Sequence, residues 1–440
     1  MLSSTKILGH VLNSYPKLTK TMIKTQIHVP KEARETFGHT RSSKSGAPTH
    51  LRSAMQGDAL RLDTQSFEFS SLIKRASFAL FALIVIHPTN ILDAAEIVIP
   101  LVNNSAGIAD ANLINSTIAS SKPGDEIVFD GVYVVNQTIK LLGQRAYRGR
   151  SSKGTTVRQA SNANLLAVLA SSDWVDNGTF CGLPITLKDI TIDGNSQNNL
   201  SSQTTGLIIM NWNSTIRCVS VANARGSGIR LTSKNRIGTQ ISNSMVNGQI
   251  TDCFIESSGL NGIEVIDSGN SITDWDLIDN WVASSGKNGV YMENTAGWKI
   301  IGNHIYGVGE NAIVASRMFG STIADNYIEG FGEASPTTPA YGIKATIQGD
   351  AASVIRDNKV FCFAGENSAP AYTYIGIDQV NYGAGALVVS GNAIRGGGTA
   401  KGIGLRLIPG NNKTLNVVKS GNLLFNVAVK TVDGAGVINQ

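Results

Sequence analysis

Asparagine, any residue, isoleucine, any residue, glycine is the spacing in "GNHIYGVG" from Gly302, and it returns 23 residues later in "DNYIEGFG" from Asp325. The same asparagine position is filled at Asn280, Asn303, Asn326, Asn358, Asn392 and Asn422, and earlier repeats place Asp189, Cys218 and Cys253 there. A second signal is a glycine or alanine before Leu207, Ile229, Ile263, Val290, Ile313, Ile343, Ile377 and Ile403. Intervals of 22 to 35 residues, holding two or three short alternating strands each, cannot bury a core singly and must stack. A leucine-rich repeat would need LxxLxL, and a propeller would need a four-stranded blade signature; neither is present. What remains is a parallel β-helix whose coils hydrogen-bond to one another at about 4.8 Å. With 46 glycines, 6% aromatics and 16% charged residues, composition also favours strands and tight turns over helices, so the class is all-β.

The repeated Asn has a physical reason. Its amide both donates and accepts, so it can bond to the coil on either side, and Asn tolerates the left-handed backbone of a sharp bend. It reads as structural, as does the glycine before each apolar residue.

From Ala109 the chain runs "ADANLINSTIASSKPGDEIVFDGVYVVNQTIKL", followed by six or more coils of the repeat. This resembles the right-handed parallel β-helix of the pectate lyase superfamily over about residues 97 to 440, with Pro123, Gly124, Asp125, Gly131 and Tyr133 matching its "PGDxIxxxxGxY" entrance. The resemblance implies a short N-terminal helix capping the solenoid. It also implies an active cleft on the face of the strand after the glycine, beside long loops at 330 to 342 and 362 to 376, and a monomer or homotrimer. The fold carries many chemistries. The Gly-His-Gly and Asn-Thr-Asp of polygalacturonase-type hydrolases, the Asp-Pro-His of alginate epimerases and the Arg-x-Pro-x-x-Arg of pectate lyases are all missing from the sequence.

The net charge of +5 belongs to residues 1–70, where ten Lys and Arg meet five Asp and Glu; residues 71–440 balance at zero. A nucleic-acid partner is therefore not expected. Residues 1–70 read as a basic extension, disordered or mis-annotated, with translation starting later, for example at Met55. Within residues 71–95, Lys74 and Arg75 precede eleven apolar or small residues, Ala76 to Ile86, which fits a signal peptide and secretion better than a stable membrane span. An uncleaved anchor is the other reading. Residues 96–440 form the β-helix domain. Cys181, Cys218, Cys253 and Cys362 lack metal-ligand spacing and read as buried thiols, with a Cys218–Cys253 disulfide open because both fall in the repeated-Asn column.

Outward side chains at matching positions of successive coils line up as columns. On the strand after the Asn, one column runs Phe254, Trp281, His304, Tyr327, Lys359, and its neighbour runs Glu256, Ala283, Tyr306, Glu329, Phe361, Arg395. Rings beside carboxylates suit sugar binding by Phe254, Trp281, His304, Tyr306 and Tyr327, or they simply cement the solenoid. On the strand after the glycine, the columns run Arg230, Glu264, Tyr291, Val314, Lys344, Asp378 and Thr232, Ile266, Glu293, Ser316, Thr346, Val380, with Lys287 just before and Arg317 just after.

The candidate catalytic residues are Glu264, Lys287, Tyr291, Glu293 and Arg317, with Arg230 and Lys344 as substrate contacts. β-Elimination on a uronate needs a base, here Lys287, Tyr291 or His304, and a cation, here Arg317 or Arg230. Inverting hydrolysis needs two carboxylates, for which Glu264 and Glu293 stand about 8 Å apart. Ca²⁺ is a candidate cofactor through Asp267, Asp274, Asp276 and Asp279. The expected function is a secreted polysaccharide lyase acting on an acidic polysaccharide. The alternatives are a glycoside hydrolase or epimerase on the same fold, and a non-catalytic glycan-binding or structural β-helix.

Overall fold

The computed structural model describes residues 94–102, 105–334, 339–362, 372–379, 385–397 and 402–440. The basic segment and all but the last two residues of the signal-like segment lie outside the described residues. Each coil gives one strand to each of three sheets. The first-strand sheet has 11 strands, from Ile139–Leu141 to Val429–Asp433, and the second-strand sheet has 13, from Glu96–Ile99 to Val437–Asn439. The third-strand sheet has 11, from Val132–Val135 to Leu423–Phe425. Neighbouring strands pair in parallel along all three, making the right-handed parallel β-helix that the repeats and the resemblance imply.

The interior is built from columns of branched residues. Ile192, Val221, Ile255, Val282, Ile305, Ile328, Val360 and Ile394 stack in register through the third-strand sheet, each at most 1% exposed. Burying one such side chain contributes about 1.5–3 kcal/mol, and ordering each residue's backbone costs about 1–2 kcal/mol. A coil standing alone exposes these side chains to water and gains almost none of the first term, so stability arises only on stacking.

The capping helix is Ile108–Ser120, with Ala111, Ile114 and Ile118 buried against the end of the solenoid. Asp110, also buried, accepts the Val134 N–H at 3.0 Å and fixes the helix to the first coil. The entrance motif is held the same way. Asp125 accepts N–H groups from Ala95 and Lys122, which hold its carboxyl below the usual range, and the Tyr133 hydroxyl donates to the Ile99 carbonyl at 2.6 Å.

The Asn ladder is continuous. Asn280, Asn303, Asn326, Asn358 and Asn392 each donate Nδ2–H to Oδ1 of the next, ending on Asn422, at 2.9–3.0 Å per step. The left-handed backbone belongs to the residue before each Asn: Asp279, Gly302, Asp325, Asp357, Gly391 and Gly421 all have φ of 55–70°. This corrects two placements. Asp189 and Cys218 are left-handed bend residues, and the ladder column in their coils is taken by Ile190 and Val219; Cys253 does occupy it, its N–H donating to Asn280. Cys218 and Cys253 therefore lie in different columns, and both thiols are free. Burial pushes the Cys253 thiol up to about 12.

A second ladder, Asn261, Asn288 and Asn311, runs in the turns from third to first strands. Its signal was the Asn before Gly262, Gly289 and Ala312. Two further expectations change. Residues 340–342 and 372–376 are strand, belonging to Ala340–Ile347 and Tyr372–Gln379, so the expected long loops are shorter; parts of both, 335–338 and 363–371, lie outside the described residues. Lys344 pairs with Gly376, and Asp378 pairs with Thr346, two residues from the expected register.

Candidate functional site

The first-strand face begins with a committed ion pair. Arg230 Nε donates to Glu264 Oε2 at 2.6 Å, Ser227 Oγ donates to the same oxygen at 3.0 Å, and Asn261 Nδ2 donates to Oε1 at 2.8 Å. Glu264 is only 6% exposed. With its oxygens occupied by three donors, Glu264 is a structural anchor for the second Asn ladder and is closed to a ligand, while Arg230 is tied to it through Nε.

One coil on, Tyr291 pairs with Glu264. Burial, then the carboxylates of Glu293 and Glu264, push its phenol above the ordinary value, so it is held protonated. Glu293 follows on the same face, about 7 Å along the strand, half-buried, with Oε2 accepting the Asp267 N–H at 2.9 Å. Lys287 is exposed in the turn before this strand, and Glu310 stacks on it, its N–H donating to the Lys287 carbonyl at 2.8 Å.

In the following coil the strand bulges between Ala315 and Met318. Arg317 sits in that bulge with φ 59°, an uncommon conformation for a residue that is not Gly, Asn or Asp. Its backbone N–H is held by Thr346 Oγ1 at 2.7 Å and its Nε by Gln348 Oε1 at 3.2 Å. Lys344, two coils or about 10 Å beyond Tyr291, lies with Nζ 5.3 Å above the Tyr341 ring.

Glu310, Asn311, Gly332, Tyr341 and Lys344 line an open cleft of about 380 Å³ where the third-strand sheet turns into the first. Among the described residues, Lys287, Glu293, Glu310, Arg317 and Lys344 enter no ion pair. A surface ladder of salt bridges would have paired them. Glu310 escaped sequence reasoning because it sits in a turn, off the strand columns, and Tyr341 because the start of its strand, Ala340–Ile347, was expected to be loop.

The four aspartates do not converge. Asp267 is fully buried and capped by Ser233 Oγ, Asn294 Nδ2 and the Ser271 and Ile272 N–H groups. Asp276 faces Lys299 on the second-strand sheet, Asp274 accepts from Thr273, and Asp279 is a bend residue. Among the described residues no three of His, Cys, Asp and Glu are grouped to hold a metal ion.

The aromatic column stands on another face, the outside of the third-strand sheet, in the expected register. Ring centroids follow at 6.1 Å for Phe254–Trp281, 4.0 Å for Trp281–His304 and 4.7 Å for His304–Tyr327; Tyr306 lies 5.9 Å from Trp281. Burial holds the His304 imidazole below its ordinary value, although Glu329 is 3.8 Å away. His304 is thus a whole sheet away from the Tyr291 group.

No helix among the described residues is long and apolar enough to cross a membrane. No family model matches the chain, and no curated protein matches it. Solved structures do. The Azotobacter vinelandii mannuronan C-5 epimerase AlgE4 A-module is similar at 15% identity and TM-score 0.51, over 75% of this chain and 95% of that one. The catalytic domain of a GH87 α-1,3-glucanase is similar at 12% identity and TM-score 0.51, over 79% and 68%. A DFA-IIIase from Arthrobacter chlorophenolicus A6 is similar at 14% identity and TM-score 0.50, over 78% and 93%. At these identities the likeness is one of fold: the chain is a right-handed parallel β-helix.

Proposed function

We propose that this protein is a carbohydrate-active enzyme that cleaves an acidic polysaccharide by β-elimination on its first-strand face. The similar structures are of an epimerase, a glucanase and a DFA-IIIase, which favours carbohydrate chemistry on this solenoid. The observation that carries the reading is the set of cations without acid partners, Lys287, Arg317 and Lys344, on the coils of the first-strand sheet that follow Glu264 and carry Tyr291, with an open cleft at Lys344.

Elimination removes the C5 proton of a uronate, breaks the C4–O bond and leaves a double bond between C4 and C5. Removing that proton requires the neighbouring carboxylate to be neutralised, the role of the three cations, which outnumber the unpaired carboxylates Glu293 and Glu310. Arg317 takes this role over Arg230, whose guanidinium is spent on Glu264. The departing oxygen needs a proton, and Tyr291, held protonated, is the donor. Glu293, on the same face, receives the C5 proton. The inverting-hydrolase reading is weaker, because Glu264 is buried with both oxygens taken by three side-chain donors and cannot reach a leaving group.

Incubation of the full chain with polyuronates tests the proposal. An unsaturated uronate end, seen by its ultraviolet absorbance, is the expected product, and export of the protein to meet such a polymer is part of the same reading.

A further inference from the structure

We propose that the outer face of the third-strand sheet is a second binding track, separate from the Tyr291 site, that holds a neutral polysaccharide along the solenoid axis. At its N-terminal end is an open cleft of about 470 Å³ lined by Arg158, Ser161, Asp193, Gln197, Asn198 and Asn223. Amides and hydroxyls there both donate and accept, as vicinal sugar hydroxyls do. From this cleft the sheet continues through Thr191 and Ser220 to Phe254, and through Asp193 and Ala222 to Glu256. Short side chains thus form a trough leading to the rings.

The rings then follow one another coil by coil. Phe254, Trp281, His304, Tyr327 and Phe361 make an unbroken row of contacts, with Tyr306 beside it. From the Arg158 strand to the Phe361 strand is seven coil spacings, about 34 Å. Phe254, Trp281 and Tyr306 are each 37–39% exposed, and the interior columns already supply the cohesion of these coils. A contiguous exposed apolar strip of this kind marks a contact surface, and flat rings suit the CH faces of sugars.

Charge distinguishes this track from the first-strand face. Arg158 is paired with Asp193 at 2.7 Å, Glu329 accepts the Tyr327 hydroxyl at 3.0 Å, and His304 is held neutral by burial. The other charges along the face are Glu256, Lys359 and, one coil beyond Phe361, Arg395, so that with Arg158, Asp193 and Glu329 the cations and carboxylates balance. Among the described residues of this face no surplus of cations is present to neutralise a polyanion, so the ligand class is an uncharged glycan, and its role is to hold the protein on a matrix.

Affinity electrophoresis of the full chain through gels containing hydroxyethylcellulose, glucomannan or laminarin, with polygalacturonate and alginate gels alongside, tests this. Expected is retardation in at least one neutral gel that persists at high salt, since an uncharged ligand is not screened. Trp281→Ala should weaken it about tenfold, as loss of a stacking anchor does, and the double variant Gln197→Ala, Asn198→Ala about threefold. Trp281→Tyr, which keeps a ring, should restore most of the retention, separating stacking from misfolding. Absence of retardation in every neutral gel, retention abolished by salt, or equal retention of wild type and Trp281→Ala would each overturn the proposal.

Discussion

Arg230 and Glu264 form a closed pair, 2.6 Å apart, on the face where Tyr291 follows Glu264 by one coil. The pair is scaffold. Glu264→Gln should lower the unfolding free energy by about 2 kcal/mol, because Arg230 keeps its charge and loses its partner. Urea unfolding reads the loss, and turnover per folded molecule should stay at the wild-type level. A fold of unchanged stability with abolished turnover would instead return Glu264 to the catalytic set.

Tyr291→Phe should reduce turnover at least about 100-fold, the usual worth of a positioned proton donor, with the circular dichroism spectrum unchanged. The pH profile adds a sign. The phenol is raised above its ordinary value of 10.0, so the donor stays protonated below that and is lost only as pH rises through the raised value. The alkaline limb of kcat should therefore lie above pH 10. A wild-type limb near neutrality would assign it to another group.

Asn303→Ala removes the acceptor for both the Asn280 N–H and the Asn280 Nδ2–H in a fully buried setting. The expected loss is about 3 kcal/mol, from buried donors left unsatisfied. Asn422→Ala, at the partly buried end of the ladder, should cost about 1 kcal/mol. Comparable midpoints for the two variants would mean that the ladder's interior is not what holds the coils.

Much of this architecture was readable because its periods are rigid. The 23-residue interval from Asn303 to Asn326 and the alternation within each strand placed Phe254, Trp281, His304 and Tyr327 in one column, where they are found. The slip at Lys344 has the same origin. Ile375 and Ile377 both point inward, so sliding the strand by two residues keeps every side chain on its face, and alternation cannot distinguish the registers. The misplaced Asp189 follows from Asp and Asn both reading as bend residues, one position apart, and the misplaced Cys218, which is neither, from carrying the repeat back one residue out of step. Which charges stay unpaired was not legible: it depends on rotamers across coils, and only the structure separates the closed Arg230–Glu264 pair from the open Lys287, Arg317 and Lys344.

Lys287→Met and Lys344→Met should raise KM on a polyuronate about tenfold together, with a smaller effect on kcat, since both act on the bound polymer's charge. Raising ionic strength should mimic them by screening exposed cations. A KM indifferent to salt and to both substitutions would remove these lysines from the site.

The most direct measurement compares ultraviolet absorbance and reducing ends released from polyuronates by the full-length wild type and by Tyr291→Phe. Absorbance of an unsaturated uronate, rising in step with reducing ends for the wild type and absent for the variant, is the result expected. Reducing ends without that absorbance, or equal absorbance from both proteins, would contradict elimination at Tyr291.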